Sequence, residues 1–382
     1  MEKGYKLRIY PNKQQQILLA KSFGCTRYVY NHFLDRRIKL YKEEQQSLTY
    51  TQCSKELTAL KQQHEWLREP DKCALQNALK DLDTAYQHFF KEKTGFPKFK
   101  SKKEKSRSYR TNYSNGNIAF YGKTIKLPKL GYVRCRGYKE IPGRILNVTI
   151  SQVPSGKFYA TVCATDVDIP NLPKTNRHVG IDMGLTAFIT TSDGIVVSNP
   201  KYLKQSLEKL VKLQRSLSRK TKGSANWNKT RVKIAKLHEH IANQRKDHIN
   251  KTSTNLVKHN DVICIETLKS QNMMQNKKLA RNIGDVSWYE FARQLDYKAQ
   301  WYGKKLVKID AFYASSQLCS VCGYKNPDIK NLIIRAWDCP QCGSHHDRDI
   351  SAAKKHLKRR AITSPINKLT TVRTVGTTGI AW

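Results

Sequence analysis

Acidic side chains are scarce in this sequence: 30 Asp and Glu stand against 70 Lys and Arg in 382 residues, a formal net charge of +40. Self-repulsion on that scale disfavours a compact state unless a polyanion supplies counter-charge, and no acidic tract within the chain does so. Nucleic acid is therefore the expected partner, with an anionic membrane surface the weaker alternative. Also missing is any run approaching the roughly 20 apolar residues of a membrane-spanning helix. The opening MEKGYKLRIYP carries neither an apolar segment nor a small-residue cleavage site, so a cytoplasmic protein is expected, with no membrane partner. Apolar content itself is not lacking. At 39% hydrophobic residues the chain can bury real cores, and its length suits two or three domains.

Six of the ten cysteines (Cys25, Cys53, Cys73, Cys135, Cys163 and Cys264) are scattered singly, mostly beside apolar neighbours, and read as reduced, buried thiols. The other four form two C-x-x-C-G knuckles, Cys319-Cys322 and Cys339-Cys342, separated by 16 residues. Each knuckle presents two thiolates from one tight turn, and two knuckles complete a closed tetrahedral shell for one structural Zn²⁺. Two disulfides are the competing reading, disfavoured in a reducing compartment.

Hydrophobic alternation predicts a strand over Tyr5 to Tyr10, stopped by Pro11, and a helix over Lys13 to Leu34. Short alternating runs with Gly, Pro and Ser-Gly turns resume near Asn117. The fold class expected is multidomain α+β. A β-barrel or sandwich is built from residues 1–11 and 105–173, and a helical insertion occupies 12–104. Lys98 to Arg110 holds seven basic residues against Glu104 alone, interleaved with Phe96, Phe99 and Tyr109, a pattern suited to tracking a phosphate backbone and stacking bases. From His178 two or three antiparallel strands turn at Ser192-Asp193-Gly194. A basic helical hairpin over 201–259 follows, broken at Gly223, with Ile234, Leu237, Ile241 and Leu256 on one side of its second helix. Sixteen Lys or Arg and three acids lie between Lys201 and Lys258. A buried strand (Asp261 to Glu266), a helix (about Ser287 to Tyr302), a strand (Lys305 to Ile309) and a helix (Ile350 to Arg360) complete an α/β region. The Thr- and Gly-rich stretch 364–382 reads as a flexible tail.

Three acids stand out chemically. Asp182 lies inside the apolar strand Val179-Gly-Ile-Asp-Met-Gly, where a buried charge is costly unless paired or liganded. Glu266 ends a second apolar strand in the same way, and Asp349 lies in HHDRDISAAKKH at the start of a helix. Each alone could be a cap or an ion-pair partner. Two strand acids and one helix-terminal acid together match the ribonuclease H arrangement, in which converging carboxylates hold two Mg²⁺ or Mn²⁺ ions for phosphodiester cleavage. No histidine adjoins Asp182 or Glu266 in the sequence, which suits such oxygen-seeking ions.

These residues, with YKLRIYPNKQQ, GCTRYVYN, ALQNALKDLDTAYQHFF, GFPKFKSKK, GIDMGL, IETLK, SSQLCSVCG and CPQCGSHHDRDISAA, make the sequence resemble the TnpB family, RNA-guided nucleases of bacterial insertion sequences related to the type V CRISPR effectors. The resemblance runs along nearly the whole chain. It implies an oligonucleotide-binding-like wedge barrel with a helical recognition insertion, and a RuvC-like nuclease domain over 174–310 and 347–363. A zinc-ribbon element that binds target nucleic acid would occupy 311–346. Asp182, Glu266 and Asp349 become the catalytic, magnesium-binding acids, and the four clustered cysteines the zinc ligands. The implied partners are a guide RNA derived from the element's end and double-stranded target DNA, held in a monomeric, nucleoid-associated ribonucleoprotein.

Candidate readers of a short motif beside the target are Tyr50, Ser54, Gln76, Asn77, Lys80, Thr111 and Asn112, whose amides, hydroxyls and amine suit base edges. Arg348 is either a phosphate contact or a structural partner. The sequence departs from the family at Ser351, where Asn is usual, and Asp347 competes with Asp349 as third ligand. The alternatives to a nuclease are a catalytically silent RNA-guided repressor, which should have lost acids, and a transposase or transposase accessory protein. His238-Glu239-His240 lacks the spacing of a zincin helix and reads as hairpin surface.

Overall fold

Alternation makes Lys3–Tyr10 a strand (β1), burying Tyr5, Leu7 and Ile9 on one face. After Pro11, Asn12 caps helix α1 (Lys13–Glu44). Its side chain accepts from the Gln15 backbone N–H, while the Gln15 side chain accepts from the Asn12 N–H. The helix runs ten residues past the expected end because its later turns also have a buried face: Leu40 packs in the core and Arg37 donates to Asp83 at 3.1 Å. The computed structural model describes residues 1–92, 94–103, 107–137, 140–310, 317–331 and 333–359, and the chain divides into two units, 1–168 and 169 onward. Lys105, the first residues of the cysteine-bearing element and the tail 364–382 lie outside the described residues.

In the first unit α1, α2 (Tyr50–Gln63) and α3 (Lys72–Glu92) share a core of Val29, Phe33, Leu57, Leu75, Leu79 and Leu82. The remaining strands are β2 (Arg107–Asn112), β3 (Ala119–Tyr121), β4 (Thr124–Leu127), β5 (Gly131–Arg136), β6 (Arg144–Gln152) and β7 (Phe158–Thr165). They join β1 in a seven-stranded sheet of order β2-β6-β7-β1-β5-β4-β3, with every pairing antiparallel. The first strand thus fills the middle of a sheet whose other members lie beyond three helices in sequence. Tyr109 differs from expectation: it is buried on β2 and is part of the core, not a stacking surface. Phe96 and Phe99 remain exposed.

The second unit holds β8 (His178–Met183), β9 (Ala187–Thr191), β10 (Val196–Ser198), β11 (Val262–Glu266) and β12 (Lys305–Ile309) in the order β10-β9-β8-β11-β12. β9 runs antiparallel to both of its neighbours, β8 and β10, and β11 runs parallel to both β8 and β12. Helices α4 (Tyr202–Ser218) and α5 (Ala225–His259) form the expected hairpin, turned through Gly223 at φ 90°. Its two helices pack through Leu210, Leu237 and Ile241. Leu256 does not join them; it packs with Ile249 and Val257 against the sheet core beside Ile181 and Ile263. Two short helices, α6 (Ser270–Met273) and α7 (Ala280–Val286), precede α8 (Trp288–Trp301), which covers the same core. The hairpin β13 (Ala336–Asp338) and β14 (His345–Asp347) leads directly into α9 (Arg348–Arg359). No helix among the described residues is long and apolar enough to cross a membrane.

Candidate active site and nucleic-acid interface

The register of β11 against β8 sets Ile265 opposite Ile181, so the next residues, Glu266 and Asp182, are neighbours at the carboxyl ends of two parallel strands. The chain leaves β8 toward β9 on one side while β11 lies on the other, the kind of switch point where open α/β sheets place ligands. Helix α9 crosses β8 at Gly180. A Cβ there would stand 1.9 Å from the Ala353 carbonyl oxygen and 2.9 Å from Leu357 N, so only glycine permits this approach. The approach carries His356 to β8, where its Nδ1 bonds the Ile181 carbonyl at 2.9 Å. One ring nitrogen of His356 and one oxygen each of Asp182 and Glu266 lie within 4.8 Å of one another.

Burial pushes the Asp182 carboxyl well above its ordinary range, and the Glu266 and Asp349 carboxylates push it further; Arg348 and Arg335 only partly offset them. Burial also raises Glu266, to about 7, against a bond donated by the Met183 N–H at 3.4 Å. Burial lowers His356 and so favours its neutral form. Two strained carboxyls and a neutral imidazole make a donor set that suits a divalent cation.

Asp349 is close enough to act on Asp182 but stands outside that trio, with its carboxylate 3.4 Å from Arg335 Nη1. Asp347, the competitor for the third position, caps α9 by accepting from the N–H groups of Asp349 and Ile350 at 3.0 and 2.9 Å. Arg348 is not free for a phosphate: it is buried and donates to the Asn331 carbonyl at 3.1 Å. Ser351 is buried too, and its hydroxyl bonds the Leu318 carbonyl at 3.4 Å rather than Asp349. With Lys358 on the Ser320 carbonyl, these bonds fasten α9 to the cysteine knuckles.

The four cysteine sulfurs also lie within 4.8 Å of one another. Cys319 to Cys342 and Cys322 to Cys339 are both 3.6 Å apart, close to the roughly 3.8 Å edge of a tetrahedron with Zn–S bonds of about 2.3 Å and far beyond a disulfide. Gly323 and Gly343 turn the knuckles at φ 84° and 67°. Burial would raise the Cys319 thiol, but the N–H groups of Cys322 and Val321, with side-chain bonds from Cys322 and His346, bring it below its ordinary value. The His346 ring, buried against Trp337, approaches Cys319 Sγ at 3.0 Å. The sequence shows His346 just after the second knuckle but nothing that assigns it this task.

The motif-reading candidates separate by burial. Tyr50, Ser54, Gln76 and Lys80 reach the surface of α2 and α3, with Lys80 Nζ 5.8 Å from the Tyr50 ring centre. Thr111 and Asn77 are buried and internally bonded: Thr111 donates to Asp71 at 2.6 Å, and Asn77 donates to the Arg110 carbonyl and to Asn112 Oδ1 at 2.9 and 3.1 Å. These bonds join α3 to β2.

A surface not singled out in the sequence lies on the outer face of the seven-stranded sheet. Arg8 is opposite Tyr159 on β7, and Tyr10 is opposite Arg134 on β5. Lys6 and Arg8 sit 4.4 and 5.3 Å from the Tyr159 ring, Arg8 and Arg134 lie 5.3 and 5.9 Å from Tyr10, and exposed Tyr121 and Tyr132 pack at 5.4 Å. Cations alternating with rings suit a single-stranded polyanion. Strand alternation predicts this face, but only the pairing of β1 with β5 and β7 assembles it.

Comparison with known proteins matches residues 160–277 to a family described as "Probable transposase", 288–355 to "Cas12f1-like, TNB domain" and 1–46 to "Helix-turn-helix domain". Over that last stretch the structure has β1 and one long helix. A Streptomyces pristinaespiralis protein named "Putative RNA-guided DNA endonuclease" is 37% identical, over 94% of this chain and 89% of its own. An Escherichia coli K12 protein, "Putative RNA-guided DNA endonuclease InsQ", is 34% identical over 84% and 83%. The mimivirus "TnpB-like protein L79" is 30% identical over 48% and 38%. Among solved structures, a Cas12f1–sgRNA–target DNA complex aligns with 94% of this chain and 100% of that chain at 14% identity, with a TM-score of only 0.37.

Proposed function

The chain belongs to the TnpB family, RNA-guided DNA endonucleases of insertion sequences, and on that premise we propose that it hydrolyses target DNA at a metal site formed by Asp182, Glu266 and Asp349. The observation that carries this reading is the pair Asp182 and Glu266, side by side at parallel strand ends with both carboxyls raised. The strand order with its three antiparallel and two parallel members supports a ribonuclease H-like, RuvC-type domain. Divalent cations held there would supply an activated water and neutralise the scissile phosphate, leaving a 5′-phosphate on one product. Asp182 and Glu266 fix the reacting centre to rigid strands, and Asp349 is brought to its edge by α9. Arg335, half-exposed beside Asp349, is within reach of the phosphate backbone. The four cysteines suit one structural Zn²⁺.

The first unit, read as wedge barrel plus recognition helices, binds the guide RNA in this account, and base pairing then selects the DNA. The test is purification from cells that carry the parent element, sequencing of the bound RNA, and incubation with a guide-matched plasmid and Mg²⁺. Bound element-end RNA and plasmid cleavage are expected. Absence of RNA would sink the guided reading, whereas DNA bound but left intact would favour a repressor. The outer sheet face makes a separate prediction. Replacing Arg8 and Arg134 together with Ala should weaken guide binding and reduce the slope of log affinity against log salt by about 1.4, or roughly 0.7 for each lost phosphate contact. An unchanged slope in a salt-titrated binding assay would remove this face from the RNA path.

A further inference from the structure

Resting on that reading of Asp182 and Glu266 as metal-binding acids, we propose that His356 supplies a nitrogen ligand, Nε2, to the cation they hold, shifting its preference from Mg²⁺ toward a first-row transition ion such as Mn²⁺. Three observations support this. His356 is 1% exposed and reaches the acids from α9, a helix held close to β8 by the missing Cβ of Gly180. One of its two ring nitrogens lies within 4.8 Å of an oxygen of each carboxylate. Its Nδ1–H donates to the Ile181 carbonyl, which fixes the tautomer and leaves the lone pair on Nε2, the arrangement that usually orients a metal-ligating histidine.

Asp349 lies seven residues before His356, two helical turns and about 10 Å along the same face of α9. The two ends of the site therefore differ in chemistry. Near Glu266 the donors are two carboxylates and an imidazole; near Asp349 the side chain offers oxygen alone. Mg²⁺ gains little from imidazole, whereas transition ions bind it well.

The test is Mn²⁺ electron spin-echo envelope modulation on the full chain purified with its RNA, grown with natural or ¹⁵N-labelled histidine, beside Asp182→Ala and His356→Asn. The amide of Asn can retain the bond to Ile181 while removing Nε2. We expect directly coordinated nitrogen modulation that changes with histidine labelling in the parent protein and is absent from both variants. The ratio of Mg²⁺ to Mn²⁺ dissociation constants at the site should fall at least about tenfold in His356→Asn. Manganese whose binding depends on Asp182 but whose modulation ignores the histidine label would overturn the ligand role while leaving the acid pair intact. Manganese binding indifferent to Asp182 would overturn both. The labelling result on the parent protein decides the matter even if His356→Asn does not fold.

Discussion

Asp182→Ala is expected to leave the ribonucleoprotein assembled and able to bind its target while lowering DNA cleavage by at least about 10³-fold, equivalent to about 4 kcal/mol of transition-state stabilisation. Asp182 is the acid that both Glu266 and Asp349 act upon, so removing it takes away a side chain that both of them approach. Loss of stability would not explain the effect. A carboxyl held above its ordinary range costs folding free energy when it ionises, so its removal should not destabilise the metal-free protein. The same sign holds for Glu266, whose folded value of about 7 exceeds the ordinary 4.5. With EDTA present, Glu266→Gln should therefore melt above the parent at pH 8. That advantage should shrink as pH falls through 7 and vanish near 4.5. Guide-matched plasmid cleavage, target binding and thermal melts measure the three quantities; undiminished cleavage in Asp182→Ala would take this pocket out of the mechanism.

Gly180→Ala should be nearly as damaging without touching a reacting group. Its new methyl would meet backbone atoms of α9, the Ala353 oxygen at 1.9 Å and Leu357 N at 2.9 Å, and backbone cannot swing aside as a side chain can. The helix must shift by about 1 Å or more to restore ordinary separation. Overpacking of this kind costs about 1–3 kcal/mol or more, which in a unit of this size lowers the melting temperature by roughly 3–10 °C. The functional loss should be larger in proportion. Misplacement by about 1 Å typically costs 10²-fold, and α9 carries both Asp349 and His356. Zinc content, measured by metal analysis, should equal that of the parent protein because the four sulfurs belong to the knuckles. Normal cleavage at 25 °C would show that α9 does not set the geometry.

Much of this protein is legible because its signals are local. The alternation of Tyr5, Leu7 and Ile9, the stop at Pro11, the turn at Gly194 and the two knuckles each express backbone preferences within a few residues. Asp182 and Glu266 stand out for the same reason, as charges inside apolar strands. The cysteine spacing is local in the same sense, since each tight turn presents two sulfurs on one side. Residues whose task depends on a distant neighbour are another matter. Tyr109 looks like a stacking ring within a basic run, but β2 turns it inward. Thr111 and Asn77 look like base readers, but they face Asp71 and Arg110 across the joint between α3 and β2.

The amino-acid order alone, then, points to the kind of chemistry: a polyanion partner, four thiols spaced for a metal, and carboxylates that are costly to bury unpaired. Only the tertiary structure decides which groups meet. It pairs Glu266 with Asp182 through strand register, sets Asp349 against Arg335, assembles the Arg8, Tyr10 and Tyr159 face, and brings His356 to Asp182, 174 positions earlier in the sequence. The physical reason is that strand and helix periods specify which residues share a face but not which face they meet. That meeting is fixed by packing, and here by the single missing Cβ of Gly180.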